Sequence, residues 1–212
     1  MNGFLELTGD NQREKYVKKG LVNGIEIAAD LSDAFAEVPW LGSIIKLWKI
    51  GANVIDVLFV KKVCQFLDAS EGYTEKEFKT FFEEMNSHEQ EVLSEFLISS
   101  ISQADHRDKV TILGYIYKYR VKKEIDEEML FRLCSAINRC YTGDLKELLK
   151  FEKEIFIRYY VADILFNVGL LTNLGIGPED GSDLEGTRYK LSVIGKKLCD
   201  ILKKENWFDD KK

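Results

Sequence analysis

Residues Pro39–Leu67 read PWLGSIIKLWKIGANVIDVLFVKKVCQFL, and the rest of the chain is expected to be built around this stretch. Between Leu41 and Val60 the strongly polar positions are Ser43, Lys46, Lys49, Asn53 and Asp56. Their separations of three, three, four and three residues are the step of an α-helix. The segment is therefore expected to be an apolar cylinder carrying one narrow polar stripe. Pro39 breaks the preceding chain and suits the first turn of a new helix. A helix this apolar is either wrapped by other helices or laid against a membrane. Spanning a bilayer would bury Lys46, Lys49 and Asp56, each at a cost of roughly 2.5–3.5 kcal/mol near the centre. An interfacial position, anchored by Trp40 and Trp48 with the lysines outward, is the better membrane reading. A central helix covered by its neighbours is preferred over both.

The segments C-terminal to Leu67 supply the cover. Asp68–Thr74 is a turn around Gly72. Thr74-Glu-Lys-Glu77 and Ser87-His-Glu-Gln90 have the form of capping boxes, each opening an amphipathic helix. The first would bury Phe78, Phe81, Phe82 and Met85, the second Val92, Leu93, Phe96, Leu97 and Ile101. A further helix is expected from about Arg107 to Val121, with Val110, Leu113, Ile116 and Tyr117 inward. Another is capped by Asp126, with Met129, Leu130, Leu133, Ala136 and Ile137 on its apolar face. Upstream, a helix over Asn11–Glu37 is weakened at Gly20 and Gly24. Downstream come a short helix at Asp144–Lys150 and a longer one from about Glu152 to Asn167. Two short strands at 170–174 and 187–192 flank a glycine-rich loop, and a last helix runs to about Trp207.

The chain has 212 residues, 45% of them hydrophobic and 31% charged, enough for a sizeable core without disulfides or a metal. Two prolines favour long helices. Cys64, Cys134, Cys140 and Cys199 form no CxxC pair and have no histidine at ligand spacing, so they are expected to be buried, reduced thiols of a cytoplasmic protein. No basic segment followed by an apolar run marks a signal peptide. The net charge of −6 argues against general polyanion binding.

The final stretch carries a resemblance. Gly169-Leu170-Leu171, then Tyr189, Leu191, Ser192 and Gly195, match the pattern of winged-helix domains, in which a helix ends in GLL, a β-hairpin wing comes next, and Y-x-L-(S/T)-x-x-G leads into a closing helix. The resemblance covers at most 126–206. It implies a helix before the wing that enters the DNA major groove and a wing that meets the backbone. The residues depart from that chemistry: Glu179, Asp180, Asp183 and Glu185 stand against Arg188 in the wing, and Glu152, Glu154 and Asp163 against Lys153 and Arg158 before it. Phosphate would be repelled. From Asp30 to Leu149 the chain also resembles small helical bacterial proteins to which no function is attached, through the proline-initiated apolar helix ending in Lys61-Lys62 and Phe66-Leu67.

Catalytic signals are weak. His88 and His106 lie in polar junctions and pair with no nucleophile in the sequence. The loop from Gly175 to Gly186 lacks a Gly-Lys-Ser/Thr ending and the EF-hand ligand pattern. The aromatic residues Tyr115, Tyr117, Tyr119, Tyr159 and Tyr160 sit at helical spacing and read as core and rim. The expected fold is mainly α: a helical bundle around the long apolar helix over 11–125, then a winged-helix-like module with a short β-hairpin over 126–207. The expected function is that of a non-enzymatic, bacterial-type interaction or regulatory protein without a cofactor or metal, binding a protein partner or itself. The contact residues would be Trp40, Lys46, Lys49, Asn53, Asp56, Arg158, Asp180, Asp183 and Arg188. The alternatives are a membrane-active helical effector using residues 39–67 at the membrane surface, and a DNA-binding regulator.

Overall fold

The structure, a computed structural model, describes residues 57–152, 155–157, 160–178 and 185–209. Most of the Pro39–Leu67 stretch, with Trp40, Lys46, Lys49, Asn53 and Asp56, lies outside the described residues, as do Arg158, Asp180, Asp183 and the expected helix over Asn11–Glu37. The described chain is mainly helical, with a small antiparallel hairpin near its C-terminus. It divides into two compact units, with the boundary between Asp126 and Glu127.

The first unit contains α1 (Val57–Ala69), α2 (Glu75–Glu83), α3 (Ser87–Gln103) and α4 (Arg107–Val121). α1 is the described end of the apolar stretch, and Val63, Cys64, Phe66 and Leu67 are buried there. It packs closely along α4 because Gly114 has no side chain. A Cβ at Gly114 would meet the Phe66 carbonyl oxygen at 2.5 Å and the Ala69 Cβ at 2.8 Å. Gly72, at φ +106°, makes the turn after α1 with a backbone conformation that glycine adopts at little cost. An aromatic cluster fills the unit. Tyr117, fully buried, lies 5.4 Å from Phe66 and 6.3 Å from Phe81 between ring centroids, and Phe81 meets Phe82 edge to face at 5.2 Å. The Arg120 guanidinium covers the Phe81 ring at 4.8 Å.

Capping fixes where these helices begin. Thr74 and Glu77 form the expected capping box of α2. For α3 the cap is Asn86, paired reciprocally with Glu89, and not Ser87 with Gln90. Asn86 is at least as good a cap, and the two patterns are offset by one residue. α4 is capped by His106, whose Nδ1 accepts a hydrogen bond from the Asp108 amide at 3.2 Å. Both histidines are exposed.

The second unit contains α5 (Glu127–Arg139), α6 (Thr142–Leu145), a 3-10 turn (Leu148–Glu152), β1 (Ile155–Ile157), α7 (Tyr160–Asn167), β2 (Leu171–Pro178), β3 (Glu185–Leu191) and α8 (Val193–Lys204). The continuous helix expected over Glu152–Asn167 is not formed. Its first part is the end of a 3-10 turn and then the strand Ile155-Phe156-Ile157, whose β-branched and aromatic residues favour extended backbone. The strands form an antiparallel sheet in the order β1-β3-β2, so β3 is central. Ile155 pairs with Tyr189 on one side of β3, and Asn173 with Tyr189 on the other. The pairing of β2 is interrupted between Asn173 and Ile176, a bulge made by Gly175 at φ +93°, whose amide donates to the Asn173 side chain at 2.7 Å. Leu130, Leu133, Ala136 and Ile137 of α5 are buried, as are Leu198, Cys199, Ile201 and Leu202 of α8. Glu152 and Lys203 form an ion pair that ties the 3-10 turn to α8. Trp207, beyond α8, is buried as well.

Candidate functional site

The residues behind the GLL and Y-x-L-S-x-x-G patterns are brought together at one joint. α7 ends in a Schellman turn: the Gly169 amide donates to the Phe166 carbonyl and the Leu170 amide to the Leu165 carbonyl. Gly169 takes the left-handed conformation this requires, at φ +84°. Leu165 and Leu170, the apolar pair that accompanies such a turn, are both fully buried. Ser192 then locks the other side of the joint. Its amide donates to the Leu170 carbonyl at 3.0 Å, and its hydroxyl donates to the Gly169 carbonyl at 2.6 Å and accepts from the Gly195 amide at 3.0 Å as the cap of α8. Gly195 is small because a Cβ there would overlap the Leu170 carbonyl oxygen. The motif residues thus weld the end of α7, the hairpin and the start of α8 into one body.

A second tether holds α7 against the sheet. The Tyr189 hydroxyl, on central strand β3, donates to the Asp163 carboxylate on α7. Tyr189 is buried, and burial together with this carboxylate pushes its phenol pKa up. The Phe166 ring lies 6.1 Å from that of Tyr189. α7 also packs on β2.

Several large apolar side chains of this unit are exposed to solvent. α7 leaves Tyr160 68% exposed and Phe166 41% exposed, and on β2 Ile176 is 73% exposed. Asp163 and Asn167 are exposed on the same short helix. From Tyr160 to Leu191 the sequence holds five carboxylates against two cations, Arg188 and Lys190, and neither cation is on α7. Aromatic and aliphatic groups in an acidic setting, held on regular elements, are suited to contact with a protein and unsuited to holding phosphate. Of the contact residues expected from sequence in this unit, Arg188 is the one described, half-buried on β3. Tyr160, Phe166 and Ile176 are not among those expectations: Tyr160 at helical spacing reads as core or rim, and no sequence pattern marks Phe166 or Ile176.

The four cysteines are free and buried. Burial pushes the Cys64 thiol up to about 11 and the Cys199 thiol up to about 12, and pushes Cys134 up as well, so these sulfurs stay protonated near neutral pH. Among the described residues no group of three or more histidine, cysteine or acidic side chains could hold a metal ion, and no helix is long and apolar enough to cross a membrane. No family profile, curated protein or solved structure matches this chain.

Proposed function

We propose that this chain is a non-enzymatic interaction or regulatory protein whose C-terminal unit is a winged-helix-like module that engages a protein partner through α7 and the β2–β3 hairpin. The observation that carries the reading is the exposure of Tyr160, Phe166 and Ile176 on elements fixed to a common core, in a segment without a basic face. Tyrosine and other aromatic side chains supply large contact area at low entropic cost and are enriched in protein interfaces. The winged-helix part is supported by the succession of α7, a glycine-terminated turn, a hairpin and a closing helix, and by the third strand beside β3. Phe166→Ala and Ile176→Asp, made separately, are expected to release a co-purifying partner about tenfold more readily than the parent while leaving the fold intact. Equal retention by both variants would defeat the proposal.

DNA binding is the second reading, and the helix-then-wing order favours it. It requires salt-dependent affinity for duplex DNA. Titration of random duplex at low salt is expected to show no binding. Tight binding that weakens steeply with salt would replace the protein-partner reading with this one.

A further inference from the structure

A cavity of about 550 Å³ opens in the first unit between α1 and the start of α4. Sites for small molecules are typically about 300–1,000 Å³, mostly apolar, with a few polar groups that fix orientation. Here the apolar part is Ala104 and Val110, both buried, with Leu58 at the lip and 62% exposed. The polar part is largely cationic: Lys61, Lys62 and Arg107.

The state of each charge decides what the cavity can take. Among the described residues the one carboxylate in the lining, Asp105, is already held by Lys109 at 2.8 Å, and that lysine is buried. Lys62 donates to the Ser102 carbonyl at the end of α3, at 2.9 Å, and is paired with no acid among the described residues. Among the described residues Lys61 and the Arg107 side chain have no hydrogen-bond or ion-pair partner, although Lys61 is half-buried. Gln65 fixes the wall by donating to the Arg107 carbonyl and the Thr111 hydroxyl, each at 2.8 Å. The start of α4 adds the positive end of a helix dipole to the same side. The half-buried Lys61 and Lys62 and the exposed Arg107 line the cavity together, and with Asp105 held by Lys109 and Asp108 in the first turn of α4 they leave a local cation excess in a protein of net charge −6.

We infer that this cavity is a binding site for a small amphipathic anion, a carboxylate or phosphate head on an apolar body. The head lies between Lys61 and Arg107, and the body lies on Leu58, Ala104 and Val110. The guanidinium offers the paired donors that suit a carboxylate or phosphate, and the lysine adds a point charge. The inference is independent of the protein-partner surface on the second unit.

The test is calorimetric titration of the full chain with decanoate and with decyl phosphate, beside decanol, acetate and inorganic phosphate. At least one of the two amphipathic anions is expected to bind saturably at one site, about tenfold or more tighter than decanol and either headgroup alone. Lys61→Ala and Arg107→Ala should each weaken it about fivefold or more, with circular dichroism unchanged. Shifts of the Val110 methyl resonances on titration would place the ligand in the cavity. The idea is overturned if neither anion binds, if decanol binds as well as the anions, or if both variants bind like the parent. It is equally overturned if the chain floats with phosphatidylglycerol vesicles but takes up neither monomeric anion, since the cations would then serve a lipid surface and not an enclosed ligand.

Discussion

Gly195 shows how a single residue can set the geometry of a unit. Alanine is the better helix former by about 1 kcal/mol, yet a methyl group here enters the space of the Leu170 carbonyl oxygen. Gly195→Ala is therefore expected to lower stability by about 2 kcal/mol in denaturant titration, the overpacking cost exceeding the propensity gain. Asp105 gives a pH-dependent case. The hydrogen bond from Lys109 holds its carboxyl below the usual aspartate range. A depressed folded-state pKa contributes stability above the unfolded value, near about 3.9, and loses it as acid protonates the folded group. Asp105 is 72% exposed, so the loss in Asp105→Asn at neutral pH should be about 1 kcal/mol or less. The gap between variant and parent should close as acid protonates the folded carboxyl, at a pH below the unfolded value. A gap that stays constant with pH would assign the effect to packing.

At the scale of elements, the caps and the periodic helices are largely legible from sequence. Thr74 with Glu77 opens α2, and α4 and α5 run where their apolar spacing predicts. The start of α3 differs from expectation by one residue because Asn86-x-x-Glu89 and Ser87-x-x-Gln90 overlap. Asn86→Ala is expected to cost about 1 kcal/mol and Ser87→Ala about a few tenths or less, measured by thermal unfolding. The His106 cap is not legible in this way, since its role depends on a ring nitrogen and not on a typical capping side chain. β1 is hidden for a different reason. A short apolar run such as Ile155–Ile157 has the same appearance in a buried helix and in a strand, and pairing with Arg188 and its neighbours on β3 is what decides it. The two hairpin strands lie where their sequence places them, and each extends further into the loop than expected because the Gly175 bulge lets pairing resume at Ile176.

At the scale of the whole molecule, the mainly helical character with a C-terminal hairpin is readable in the scarcity of proline, the helical spacing and the glycine punctuation after residue 169. The exposure of Tyr160, Phe166 and Ile176 is not, because Tyr160 at helical spacing reads as core or rim and no pattern singles out Phe166 or Ile176. The cysteines report on the integrity of both units, Cys64 in the first and Cys134, Cys140 and Cys199 in the second. Buried in the folded chain, they should react with iodoacetamide at pH 8 about a hundredfold or more slowly than in denaturant. Mass spectrometry of the time course resolves each site. Rapid native labelling at any one of them would mean that its unit opens locally.

The central claim is that the second unit meets a protein through α7 and the hairpin. It is tested most directly by a photo-crosslinking amino acid placed at Ile176, irradiated in cells expressing the full chain. The account predicts one dominant protein adduct that disappears when Phe166→Ala is added. Adducts to nucleic acid, or a protein adduct indifferent to Phe166, would contradict it.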